Sequence, residues 1–244
     1  MSAKTDQAVV LRLTEYSETS QIVTLFSSTH GAVRLIAKGA RRSTRQRFAA
    51  GLDLLELGSV SFVPPRGDAQ LGTLTEWVQR DAFSGLRREL LRLHGALYAA
   101  ELVAGLTEEC DPHPELYRDL VATLRGLAGP DAAGPWVPRF QAALLNAIGY
   151  APNLESCVSC RHTIRKRQVV YFSSTAGGLI CRDCEPHYVE KLRVSPELVG
   201  TSPASGDPHA WFELLDYHLA HVAERRFKTA SSVAAQLARA GPGL

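Results

Sequence analysis

The stretch SQIVTLFSSTHGAVRLIAK, residues 20–38, decides how this chain begins to fold. SQIVTLF at 20–26 is a short apolar run of strand length. STHG at 28–31 then supplies turn chemistry, with Gly31 able to take a positive φ. In AVRLIAK at 32–38, Val33, Leu35 and Ala37 alternate with Arg34, Ile36 and Lys38. That period of two predicts a strand with one buried and one wet face. AVVLRL at 8–13 precedes the stretch; LDLLELGSVSFV at 52–63 and QLGTLTEWV at 70–78 follow it. PPRGD at 64–68 reads as the turn between the last two. Five short strands separated by turn signals predict a small barrel. An OB-like barrel is the first choice and an SH3-like barrel the competitor.

After Trp77 the period changes. Leu86, Leu90, Leu93 and Leu97 recur at four, three and four residues, predicting an amphipathic helix over about 82–106. ELYRDLVATLRGL at 115–127 and WVPRFQAALLNAIG at 136–149 predict two more, with breakers between them at Gly129, Pro130, Gly134 and Pro135. WFELLDYHLAHVAER at 211–225 predicts a late helix entered through Asp207-Pro208, an N-cap followed by proline. The Ala/Gly-rich tail from Ser231 to Leu244 is expected to fray. The fold class is therefore α+β and multi-domain. An OB-fold β-barrel over 1–80 is followed by an α-helical domain over 81–244, interrupted at 151–190 by a zinc-ribbon-like segment with four cysteines.

That segment carries the sharpest motif. Four of the five cysteines form Cys157-x2-Cys160 and Cys181-x2-Cys184, separated by twenty residues. Each knuckle turns two thiolates to one side of a tight loop, and two knuckles make a closed tetrahedral site of four sulfurs. One structural Zn2+ is the expected cofactor. Disulfides are disfavoured in a reducing cytosol, and a redox dithiol accounts for only two of the four thiols. A catalytic zinc needs an open position that four thiolates do not leave. QVVYFS and GGLICRDC read as a hairpin turned by Gly177 and Gly178. Cys110 is expected to be an ordinary thiol.

No catalytic constellation emerges. His218 and His221 share a helix face without the Glu of a His-Glu-x-x-His site, so a structural role is expected. His162 and His187 flank the knuckles but are redundant beside four thiolates. Asp53 and Glu56 are expected on the wet side of a strand. The chain is read as a non-enzyme.

Length, at 244 residues, fits one large domain or two to three small ones. No apolar run reaches the ~20 residues that span a bilayer, and MSAKTDQAVV lacks a signal-peptide core. A cytoplasmic location without membrane partners is expected. Net charge is only +2, but its distribution is uneven. Arg34, Lys38, Arg41, Arg42, Arg45 and Arg47 fall within fourteen residues that hold no acid. Such a run can neutralise phosphates and release counterions, and these six residues are the candidate DNA-binding set. Phe26, Phe48 and Phe62 are nearby aromatics, with core positions expected for at least two. Arg161, Arg165, Lys166 and Arg167 form a second basic group; Arg87, Arg88 and Arg92 form a third.

The residues also carry a resemblance. VVLRLTEYSETSQIVTLFSSTHGAVRLIAKGARR, with Tyr16, Glu18, Gly31 and Lys38-Gly39-Ala40-Arg41, resembles the start of bacterial RecO proteins. Leu71-Gly72-Thr73-Leu74, LLNAIGYAPNLESCVSC at 144–160 and GGLICRDC extend that likeness to the metal-bearing branch of the family. The resemblance implies a recombination mediator in DNA repair, nucleoid-associated, that binds single- and double-stranded DNA and anneals complementary strands. It also implies RecR as a partner, binding to the C-terminal tail of single-stranded-DNA-binding protein (SSB), and help in loading RecA. Two rival readings are a zinc-stabilised protein-interaction scaffold and a zinc-dependent nucleic-acid enzyme.

Overall fold

The computed structural model describes residues 3–38, 52–65, 70–165 and 168–240. The chain divides into two compact units, Met1–Gly129 and Pro130–Leu244.

The first unit opens with five strands: β1 (Lys4–Glu15), β2 (Gln21–Ser27), β3 (Gly31–Ala37), β4 (Leu57–Val63) and β5 (Gly72–Asp81). They close into a barrel in the order β1-β2-β3-β5-β4, the topology of an OB-like fold. Val10, Val23, Leu25, Leu35, Val60, Leu74 and Trp77 pack its interior. The closing seam is the parallel pairing of β3 with β5 at Leu35↔Gly72 and Ile36↔Thr73. A Cβ on Gly72 would fall 2.7 Å from both Leu35 Cδ2 and the Val63 carbonyl oxygen. Glycine is what lets the seam close.

The fourth strand starts at Leu57 rather than 52. Asp53–Glu56 forms a turn instead, with Leu55 at φ 68 and Glu56 N–H donating to the Asp53 carbonyl at 3.5 Å. Glu56 is also not on the wet side. It is buried and accepts from the Gln79 side chain and from Asp53 N–H at 3.3 Å. Burial raises its pKa above the ordinary value.

The barrel is followed by a short 3₁₀ turn (Ser84–Arg88), α1 (Leu90–Leu106) and α2 (Pro114–Ala128). The expected helix over 82–106 is thus shorter by one element, because Glu89 is extended at φ −142. Its leucine stripe is not its buried face either: Leu90 is 56% exposed. The inward stripe is Arg92, Ala96, Ala99 and Val103. Arg92 turns inward because it donates to the carbonyls of Leu127 (2.8 Å) and Gly129 (2.7 Å) at the end of α2, satisfying groups a helix C-terminus leaves bare.

The second unit contains α3 (Trp136–Ala147), β6 (Val170–Ser173), β7 (Gly178–Cys181), β8 (Leu192–Arg193), α4 (Pro208–Val222) and α5 (Ala230–Ala240). The three strands make a small sheet ordered β7-β6-β8. Asp207 caps α4, its carboxylate accepting from His209 N–H at 2.7 Å and Ala210 N–H at 3.0 Å. His218 is structural: it is 2% exposed, and its Nε2 donates to the Tyr150 carbonyl at 2.9 Å. Within the tail expected to fray, residues up to Ala240 are helical, since α5 buries Val233 and Leu237; 241–244 lie outside the described residues. No helix among the described residues is long and apolar enough to cross a membrane.

Candidate nucleic-acid interface and metal centre

The outer face of β1–β2–β3 is the candidate interface. Arg34 is exposed at the middle of β3, and Lys38 is exposed directly after it. Arg41, Arg42, Arg45 and Arg47 lie outside the described residues, as does Phe48. Strand register adds a residue that sequence proximity does not reveal. Arg12 pairs with Thr24 across β1–β2, and Thr24 pairs with Arg34 across β2–β3. Paired residues share a face, so Arg12, Thr24 and Arg34 form one outward row. The row Thr14, Ile22, Ile36 and Thr73 runs beside it. Ile22 and Ile36 are half-buried, giving an apolar strip alongside cations. Tyr16, 61% exposed, stands at the β1–β2 connection.

Two other features bound this face. Arg34 is paired with Glu109, Nη1 to Oε1 at 3.5 Å, both side chains being well exposed. Phe26 and Phe62 are core residues at 0% and 2% exposure, so neither offers a stacking surface on this outer face. The third basic group does not form a patch. Arg87 is held by Asp53 at 2.6 Å, and Arg92 is buried against α2.

Beneath the face, Asp6 ties down the β2–β3 turn. Its carboxylate accepts from the hydroxyls of Ser27, Ser28 and Thr29 and from Thr29 N–H at 2.9 Å. His30 Nδ1 lies 3.1 Å away. Burial opposes ionisation, but these donors outweigh it and hold the carboxyl well below the usual range.

The four knuckle cysteines converge. Their Sγ atoms all lie within 4.8 Å of one another, with Cys160 and Cys181 Sγ 3.7 Å apart. A tetrahedron of thiolates at ~2.3 Å from a metal has edges of about 3.8 Å, so the spacing fits a four-sulfur ion site. It is far too long for a disulfide, whose sulfurs sit ~2.05 Å apart. Each knuckle is shaped by its own backbone. Cys157 N–H donates to the His162 carbonyl (2.9 Å), and Arg161 N–H to the Cys157 carbonyl (2.8 Å). On the other side Cys184 N–H donates to the Cys181 carbonyl at 3.2 Å. Burial raises the Cys157 thiol, but backbone N–H groups of Cys181, Cys160 and Ser159 outweigh it and draw the thiol down to about 6. A lowered thiol pKa favours the thiolate that a metal requires. Cys160 and Cys184 move the other way: donors at His162 N–H and Ser159 lower them, but desolvation and the neighbouring thiols outweigh these and raise both. The expected hairpin is present as β6–β7, but only Gly177 turns it, at φ 73. Gly178 begins β7, where a Cβ would fall 2.5 Å from the Asn153 carbonyl oxygen.

Glu190 binds the tip of that hairpin to α4. Its carboxylate accepts from Ser173 Oγ (2.6 Å), Ser174 N–H (3.2 Å), Thr175 N–H (3.1 Å) and the Tyr217 hydroxyl. The sequence carries no motif for this contact, since it joins residues from three separate segments.

Two family models match the chain, one after the other. Residues 1–83 match the family model for the N-terminal part of recombination protein O, and residues 87–203 match that for its C-terminal part. A DNA repair protein RecO of Rhodopirellula baltica is 36% identical over 180 residues, 73% of this chain and 66% of that protein. One of Pelobacter propionicus is 34% identical over 192 residues, 78% of this chain and 75% of the relative. One of Bacillus pumilus is 32% identical over 190 residues, 78% and 72% of the two chains. With both family models matched in order, and relatives above 30% identity covered over most of their length, the chain belongs to the RecO family of DNA repair proteins.

Proposed function

We propose that this chain is a recombination mediator. It binds single- and double-stranded DNA, anneals complementary strands, and acts with RecR to help load RecA onto SSB-coated single strands. The observation that carries this reading is the outward row of Arg12 and Arg34 on an OB-like barrel, continued by Lys38. The run Arg41, Arg42, Arg45 and Arg47 extends it in sequence. OB barrels present this sheet face to oligonucleotides.

Annealing needs no covalent step, and the chain is proposed to be non-enzymatic. Two strands that repel one another must be brought together with their base edges free. Cationic side chains lower the phosphate repulsion, and contacts that exchange quickly let the strands search for register. In functional terms the barrel over 1–80 holds the nucleic acid. The remainder, 81–244 with the four-cysteine segment at 151–190, serves as the partner-binding part.

The four cysteines are proposed to hold one structural Zn2+, for which a closed set of four thiolates is the preferred donor set. The second unit also has a large groove of about 1170 Å³. Arg193, Arg225 and Arg226 line it beside Leu192, Val194 and Phe227, with Glu213, Asp216 and Glu224 also on its wall. Cations next to an apolar trough suit an acidic tail with an apolar end, and we assign the SSB tail to this groove. Location in the cytoplasm, on the nucleoid, follows from the same reading.

Fluorescence annealing of complementary oligonucleotides, naked and SSB-coated, across a salt series tests the proposal. Acceleration on both, weakening with salt, supports it. If about six phosphates are neutralised, log affinity for single strands falls with log salt at a slope of about −4. Absence of acceleration on either substrate by folded, zinc-loaded protein would leave the zinc-stabilised interaction scaffold as the better reading.

A further inference from the structure

We propose that a cavity in the side of the barrel is a pocket for one nucleotide, taking an unstacked base together with its phosphate. The pocket has a topological cause. Among the described residues, β3 meets β5 only at Leu35 and Ile36. Toward its N-terminal end β3 is bordered instead by the segment after α1, where Cys110 N–H donates to the Ala32 carbonyl at 2.8 Å. The space between this border and Pro64, Pro65 and Gln70 is a cavity of about 390 Å³, within the ~300–1,000 Å³ range of small-ligand sites.

Its lining has two chemistries. Val33, Phe62, Pro64 and Pro65 are apolar and suit the flat, weakly polar body of a base. Lys4 and Arg34 are cationic and exposed, and suit a phosphate. His30 adds a directional group. Its Nδ1 edge is taken by Asp6 at 3.1 Å, and its ring stands edge-on to Phe62 at 5.4 Å. The imidazole is therefore fixed in place, and Nε2 is the nitrogen available to a ligand.

An anion with an aromatic body satisfies both halves of the lining, and a nucleoside phosphate is such a molecule. Arg34 belongs both to the pocket and to the outer row of the barrel. This assignment therefore rests on the nucleic-acid reading of that face and makes it more specific: a strand lying on β1–β3 can drop one base into the cavity beside Arg34. An unpaired strand pays least to unstack a base, and sequestering one base without reading its edges is compatible with sequence-independent binding. Glu109 also lines the cavity and pairs with Arg34, so it competes with the incoming phosphate.

Cys110 supplies the test. It is exposed and lines the cavity, whereas the other four cysteines are gathered in the four-sulfur cluster. Zinc-loaded full-length protein is alkylated with a maleimide, and the modified Cys110 peptide is followed by mass spectrometry. The rate is measured alone, with dAMP, with an oligonucleotide, and with an equally long strand of abasic sites. Strand binding is read by anisotropy in the same samples. Slowing by the oligonucleotide but not by the abasic strand supports a base held within a strand. Slowing by dAMP as well assigns the pocket to free nucleotides too.

Unchanged alkylation with both dAMP and bound oligonucleotide overturns the pocket while leaving the interface standing. Equal protection by the abasic strand also overturns it, because phosphate alone would then suffice. Failure of any strand to bind removes the interface and the pocket together. Pro65→Trp, on an exposed part of the wall, should abolish base-dependent protection without altering zinc content. Glu109→Gln should lower the half-protecting nucleotide concentration by about two- to fivefold, the range of an exposed ion pair. If neither variant changes protection, the assignment fails even though wild-type protein is protected.

Discussion

Arg12 and Arg34 stand on the same outward row of the barrel, separated by Thr24 on the strand between them. Two inter-strand spacings of ~4.8 Å place their backbones about 10 Å apart, close enough for both to face one strand of nucleic acid. They are 22 positions apart in sequence, and only antiparallel pairing makes them neighbours.

If both face phosphate, Arg12→Ala and Arg34→Ala should each weaken single-strand binding. Each lost phosphate contact lowers the magnitude of the log–log salt slope by about 0.7, so the double variant should lower it by about 1.4. Thermal midpoints should stay close to wild type, because both side chains are exposed. A slope unchanged in the double variant would remove this row from the interface.

Metal removal should act on the second unit first. The knuckles are held by short loops around four thiols rather than by a large apolar core, so a metal held there would supply much of their folding free energy. Chelation, or Cys160→Ser, should raise hydrogen exchange across 157–184 while strands β1–β5 keep their protection. Equal loss of protection in the barrel, or none at the knuckles, would contradict that assignment.

Glu190 should make the second unit acid-sensitive. Burial raises its pKa, but the hydroxyl and amide donors outweigh burial and hold it at about 2, against an ordinary value of 4.5. A depressed carboxylate contributes stability that is complete above its unfolded pKa. That stability is lost as pH falls from about 4.5 toward 2. Glu190→Gln should cost about 1–3 kcal/mol at neutral pH, since it turns an amide NH2 toward O–H and N–H groups that need an acceptor. Denaturant melts between pH 2 and 6 should show the gap between wild type and variant closing in acid.

Gly31→Ala should damage the first unit. Gly31 has φ +65, and an added Cβ would lie 1.9 Å from the Asp111 carbonyl oxygen. The left-handed backbone alone costs about 1 kcal/mol or more for alanine, and the clash adds to it. A loss above about 2 kcal/mol is expected in equilibrium unfolding. A variant as stable as wild type would mean that the segment around Asp111 moves away freely.

Much of this was legible from residues alone. The alternation in AVRLIAK declares a strand with Arg34 outward, because side chains in strands point to opposite faces in turn. The two Cys-x2-Cys knuckles declare a convergence of four thiols, because each tight loop turns its two sulfurs to one side. Asp207-Pro208 declares the start of α4 for an equally local reason. The leucine periodicity after Trp77 misled for a physical cause: a helix buries the face its neighbours need, and the carbonyls ending α2 require Arg92.

Sequence by itself therefore determined what depends on a few adjacent residues: strand faces, turn glycines, helix caps and the pairing of cysteines within each knuckle. Tertiary structure alone decided what depends on pairing between distant segments. It set Arg12 beside Arg34, tied Glu190 to Tyr217, buried Glu56, and opened the cavity beside Cys110. These contacts join segments many residues apart, where no local spacing rule constrains which side chains meet.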